Sequence, residues 1–159
     1  MSPAGEPDGS IAARSEGPRP PALGALVIGF DASPPSTRAA RLALDLARGG
    51  RARLWLVFAH QTDPRLAEPR TEEEAGTPVR GATKAMESLV LEAREAHTPA
   101  DAIVREGDPA TVILQVARET DARLILVGTR GLGSTARLLL GSVSARVVSE
   151  SRVPVTVVP

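Results

Sequence analysis

Short apolar runs recur along the chain, and the stretches between them switch to a helical spacing of small and apolar residues. The first run, Ala25-Leu26-Val27-Ile28-Gly29-Phe30, follows Gly24 and stops at Asp31-Ala32-Ser33-Pro34. A continuous apolar run of this length suits a strand buried on both faces in a parallel sheet. Ser33 ahead of Pro34 and Pro35 supplies an N-cap and a first helical turn. Ala39, Leu42, Ala43, Leu46 and Ala47 then share one helical face, and Gly49-Gly50 ends the pattern.

A second strand is expected within Arg53 to His60, carried by Leu54-Trp55-Leu56-Val57-Phe58-Ala59. The segment Gln61 to Arg80 holds several prolines and lacks an apolar period in its first half, so it reads as a mobile surface loop. Within it, Glu72-Glu73-Glu74 reads as a solvated helix start, where negative charge suits the helix dipole. A helix is expected from about Val79 to Ala96, with Ala82, Met86, Leu89, Val90 and Ala93 turned to the sheet and His97-Thr98-Pro99 as its end. Ala102-Ile103-Val104 is a short third strand, and Asp108 followed by Pro109 caps a helix that buries Val112, Ile113, Val116 and Ala117. Leu124–Val127 forms the fourth strand, a glycine-rich segment runs from Gly128 to Gly141, Ser142–Glu150 forms a short helix, and Val153–Val158 forms the fifth strand.

Strands alternating with helices in this way predict a single α/β domain with a parallel sheet, right-handed crossovers and helices on both faces. Ligands of such sheets bind beyond the carboxyl ends of the strands, near the reversal of strand order, which directs attention to the loops after strands one, two and four. A chain of 159 residues suits one core. Residues 1–22, rich in Pro, Gly, Ser and charge, are expected to be a disordered tail, leaving residues 23–159 as the domain.

Composition narrows the function classes. With no cysteine, thiolate catalysis and Cys-based metal sites are excluded, and a reducing compartment is compatible. Nineteen basic residues balance nineteen acidic ones, which argues against a nucleic-acid partner. No apolar stretch reaches bilayer length and the N-terminus lacks a signal-peptide apolar run, so a soluble, cytoplasmic protein without membrane contact is expected.

The candidate chemistry lies after the fourth strand, in Gly128-Thr129-Arg130-Gly131-Leu132-Gly133-Ser134 and onward to Gly141-Ser142-Val143-Ser144. Glycines let backbone N–H groups converge on an anion, and the helix opening at Gly141-Ser142 adds unpaired donors, a partial positive charge and the hydroxyls of Ser142 and Ser144. A P-loop is excluded because no lysine occurs there. A nominal dinucleotide fingerprint, Gly131 to Ala136, has the wrong surroundings, because the chain stops where the ribose-binding acid should follow the next strand.

Gly128, two residues, Gly131, nine residues, then Gly141-Ser142 resembles the ATP-binding pattern of the universal stress protein family. The similarity extends to Val27-Ile28-Gly29-Phe30-Asp31-Ala32-Ser33 and to Val153-Pro154-Val155, with Ala32 standing where a glycine is common. The expected fold is then a single doubly wound, five-stranded parallel sheet of the adenine nucleotide alpha hydrolase-like, Rossmann-like kind, strand order 3-2-1-4-5. The resemblance places Asp31 beside the adenine or ribose and the backbone near Ala59 against the base. Gly128, Arg130, Gly131, Gly141, Ser142, Val143 and Ser144 would surround ribose and phosphates. It implies ATP, with Mg²⁺ or Mn²⁺ held mainly by the phosphates, and a homodimer through Val153–Val158.

Plainer roles stand beside these. Asp31 also suits a helix cap, Arg130 a solvated charge, Trp55 the core, and His97 a surface helix end. His60 has no second histidine or cysteine nearby in sequence, so no metal site of the protein's own is expected. The leading function is an ATP-binding regulatory or stress-response protein. A slow metal-dependent ATPase is a second possibility, although the nearest acids in sequence, Asp121 and Glu150, suggest no general base. A dimeric adaptor independent of nucleotide is the third.

Overall fold

The computed structural model describes residues 23–48, 51–61, 72–130 and 140–159, and the side chains of 72–78 are outside that description. The expectations for the tail (1–22), the Gly49-Gly50 stop, the loop over 62–71 and the stretch from Gly131 to residue 139 lie outside the described residues. The elements run β1 (Gly24–Gly29), α1 (Pro34–Ala47), β2 (Ala52–His60), α2 (Glu72–Glu95), β3 (Ala100–Glu106), α3 (Pro109–Glu119), β4 (Ala122–Gly128), α4 (Ser142–Glu150) and β5 (Val155–Val158). All strands pair in parallel, in the order β3-β2-β1-β4-β5. Strand order reverses between β1 and β4, so the crevice beyond their carboxyl ends is the switch point of the sheet.

Alternation along the strands divides the core in two. Leu26, Ile28, Leu54, Leu56 and Leu126 join α1 and α2 on one face, with Met86 fully buried against them. Val27, Val57, Ile125 and Val127 join α3 and Val147 of α4 on the other. Burying side chains of this size contributes roughly 1.5–3 kcal/mol each, which is why the central strands read as unbroken apolar runs. Trp55 is half-buried against the second cluster, with the Arg53 guanidinium 4.9 Å from its ring centroid.

Three expectations are corrected. Helix α2 starts at Glu72, seven residues before Val79, and its backbone is helical through Gly76 and Pro78. The acidic run therefore does open a helix, but the residues around Pro78 are not loop. Helix α1 buries Ala40 and Leu44 along with Ala39, Ala43 and Ala47, whereas Leu42 and Leu46 remain 37% and 38% exposed. Alanines allow close approach to the sheet, so the apolar arc of α1 is centred on small residues rather than on its leucines. The fifth strand begins at Val155, because Pro154 has no N–H for the ladder.

Candidate functional site

At the carboxyl edge, β2 outruns β1. The last register pair is Gly29 with Val57, after which the Val57 carbonyl accepts from Phe30 N–H at 2.8 Å. On the opposite side, the His60 carbonyl accepts from Gly107 N–H at 2.9 Å. Peptide groups point to alternate sides of a strand, so the N–H and C=O of Ala59 face the notch above β1. Ala59 is half-buried there, and the His60 ring stacks on Phe58 on the other face of the strand.

Asp31 follows β1 at the same edge of the sheet. Its carboxylate accepts from Ser33 N–H at 3.0 Å, and its own N–H donates to the Ser36 hydroxyl at 3.3 Å. Ser33 caps α1 by accepting from Ser36 N–H, and its hydroxyl also donates toward the Arg130 carbonyl at 3.4 Å. Both serines are buried, so the turn after β1 and the start of the glycine segment are tied through hydroxyls shielded from water. Ala32, between Asp31 and Ser33, has φ 62°, in the left-handed region that disfavours a Cβ.

Gly128 serves packing. Its φ lies outside the left-handed region, and a Cβ there would meet Pro35 Cβ at 2.8 Å and Ser36 N at 2.8 Å. The conformational freedom expected of this glycine is replaced by a close approach between the end of β4 and the start of α1.

The two ends of the glycine segment meet at Thr129, a residue whose type carries no signal of such a role. Its carbonyl accepts from Gly141 N–H at 2.7 Å and from the Ser144 hydroxyl at 3.0 Å, and its N–H donates to the Val158 carbonyl at 2.7 Å. The buried Ser144 hydroxyl also reaches the Gly141 carbonyl at 3.0 Å. Gly141 is thus the N-cap of α4, and no side chain among the described residues caps that helix. The two other helix starts at this edge whose caps are described differ. Ser33 caps α1, and the Asp108 carboxylate caps α3 by accepting from Thr111 N–H at 2.9 Å. Bonds from the Thr111 hydroxyl and N–H, with the Arg146 charge beside them, hold the Asp108 carboxyl below its ordinary value.

The structure therefore brings Asp31, Ala59, Gly128, Arg130, Gly141, Ser142, Val143 and Ser144 to one edge of the sheet, and Gly131 lies outside the described residues. Ser142 is exposed and Val143 half-buried on the first turn of α4. Among the described residues, no three His, Cys, Asp or Glu side chains gather into a metal site, and no helix is long and apolar enough to cross a membrane.

The family model described as the universal stress protein family matches residues 24–159. The chain belongs to the universal stress protein family. A universal stress protein encoded 3′ of the QAH/OAS sulfhydrylase region in Thermus aquaticus is 37% identical over 140 residues, covering 84% of this chain and 96% of that relative. Among solved structures, the universal stress protein UspA from Lactobacillus plantarum superposes with a TM-score of 0.75 at 21% identity, over 86% of this chain and 98% of the other. A universal stress protein in complex with cAMP matches with a TM-score of 0.65 at 26% identity, over 87% and 98% of the two chains.

Proposed function

We propose that the protein binds an adenine nucleotide, ATP first among them, and that occupancy governs its conformation or its association with a partner in a stress response. The observation that carries this reading is the contrast among helix starts. Helices α1 and α3 have side-chain caps, whereas α4 begins at Gly141 with no such cap among the described residues. Unpaired first-turn N–H groups and the helix dipole favour an anion there. The Ala59 peptide adds one donor and one acceptor facing the notch, a pattern suited to the edge of a base, and Asp31 offers a carboxylate beside it. The cAMP complex of a relative is in keeping with this reading. Mg²⁺ or Mn²⁺ would arrive on the phosphates, whose oxygens are suitable hard ligands.

Self-association is part of the proposal. The β3 edge carries Asp101, Arg105 and Glu106, whereas β5 reads Val155-Thr156-Val157-Val158, without charge and half-buried throughout. Charged residues blunt an edge against pairing, and an uncharged edge invites it. Helix α1 flanks β5: Arg38 Nε donates to the Pro159 carbonyl, and Leu42 and Leu46 continue that stripe one and two turns onward. A two-fold mate pairing at β5 would cover this surface.

Calorimetric titration with ATP and Mg²⁺, with AMP and cAMP as further arms, tests the nucleotide reading. Saturable binding that is lost in Gly131→Asp, which adds bulk and charge to the phosphate loop, is the expected result. Absence of binding by folded, ligand-free protein refutes it and favours the nucleotide-independent dimeric adaptor.

A further inference from the structure

We infer that Ser144 is a positioning residue, whose hydroxyl joins the start of α4 to Thr129 and thereby links nucleotide occupancy to the β5 edge. This inference rests on the nucleotide and pairing readings above. Its basis is one peptide unit on each side of Thr129. The Thr129 carbonyl holds Gly141 N–H and the Ser144 hydroxyl, the first turn of α4, while the Thr129 N–H holds the Val158 carbonyl, the end of β5.

Two features make this joint specific. The Ser144 side chain is buried, and among the described residues the oxygens within reach of its hydroxyl are those of the Thr129 and Gly141 backbone. Its hydroxyl is thus engaged in closing the base of the glycine segment, and the N–H groups ahead of it on α4 remain for a ligand. Second, Thr129 N–H to Val158 extends the β4–β5 ladder past its last register pair, Gly128 with Val158. The last backbone bond at this end of β5 is therefore made by the same residue that receives the start of α4.

A phosphate bound at the first turn of α4 would hold that turn in place and, through Thr129, the end of β5. Linkage is reciprocal: if nucleotide strengthens β5 pairing, pairing strengthens nucleotide binding by the same factor. We expect ATP to tighten the dimer of the full chain about 5-fold or more, within the usual span of coupling free energies.

The test is sedimentation velocity over a concentration series, with and without saturating ATP and Mg²⁺, on the wild type, Ser144→Ala and Ser144→Thr, with ATP binding measured in parallel by calorimetry. The expected result is a dimer constant that ATP tightens in the wild type and in Ser144→Thr. In Ser144→Ala, at ATP concentrations that calorimetry shows to saturate that variant, the dimer constant no longer changes; loss of ATP binding in Ser144→Ala would make Ser144 a ligand and overturn its role as a positioning residue. Wild-type protein that binds ATP with an unchanged dimer constant, or that stays monomeric, overturns the inference while leaving the nucleotide reading intact. Equal coupling in Ser144→Ala also overturns it. Absence of ATP binding in the wild type refutes the nucleotide reading itself, and the inference with it.

Discussion

A Cβ on Gly128 would sit 2.8 Å from the backbone nitrogen of Ser36. That atom belongs to the first turn of α1 and cannot swing aside as a side chain does, so the end of β4 and the start of α1 would have to part. Gly128→Ala is expected to destabilise the fold by about 1–3 kcal/mol, the usual cost of overpacking. Urea denaturation checks this. Gly29→Ala is the comparison, because the nearest atom there is the flexible end of Ile113 and the cost should be smaller.

Ala32 bears the opposite strain. Its φ of 62° costs an L-residue about 1–2 kcal/mol, and a glycine there would give back part of that gain, about 0.4–1 kcal/mol, through greater freedom of the unfolded chain. Ala32→Gly should therefore raise the stability by about 0.5–1 kcal/mol, seen as a higher denaturation midpoint at unchanged slope.

Asp108 gives the fold an acid-side dependence. Its carboxyl is held below the ordinary aspartate value, first by the Thr111 hydroxyl, then by the Thr111 N–H and the Arg146 charge. A group depressed in the folded state stabilises fully above its unfolded pKa, and that contribution fades as pH falls through the folded value. Stability should therefore decline below about pH 4, the ordinary aspartate range. Asp108→Asn, which still caps the helix, should flatten that decline in thermal melts taken from pH 6 to pH 2.

The stripe formed by Leu42 and Leu46 offers a test of association apart from the β5 backbone. Replacing both with Glu should weaken self-association about 10-fold or more by sedimentation; at 37% and 38% exposure each leucine is partly covered in the monomer, so a loss of about 1–3 kcal/mol of monomer stability is expected alongside and is measured separately by urea denaturation. Unchanged association would remove α1 from the pairing surface.

Ser142 is exposed on the first turn of α4, and on the proposed reading its hydroxyl would add to the backbone donors without replacing them. Ser142→Ala should weaken ATP about 3- to 10-fold, the worth of one net hydrogen bond, and should not abolish binding. Phosphate release measured against this variant also addresses turnover: equal background in the two proteins would end the ATPase alternative.

Most of the sheet was legible because its central strands are buried on both faces, which forces long apolar runs such as Leu26–Phe30 and Leu124–Val127. The caps Ser33 and Asp108 were legible because each stands directly ahead of proline. The face of α1 was not, since alanine and leucine occur all round that helix and only the sheet beneath decides which arc is covered. Pro78 falls in the segment that its prolines mark as loop, yet the helix passes through it. The site was legible as a set of letters and less so as a set of roles. Gly128 is a glycine whether the chain needs a left-handed turn or a close contact, and only the position of Ser36 distinguishes them. Thr129 acts through its peptide groups alone, which leave no trace in residue type.

The unequal edges of the sheet carry a consequence for assembly. Unlimited growth by edge pairing requires two adhesive margins per molecule, one to receive and one to offer. Here Asp101, Arg105 and Glu106 guard one margin while β5 is uncharged. If copies pair at β5 as proposed, that pairing would terminate itself, because the outward margins of the pair would both be of the guarded kind and would offer no route to a fibre.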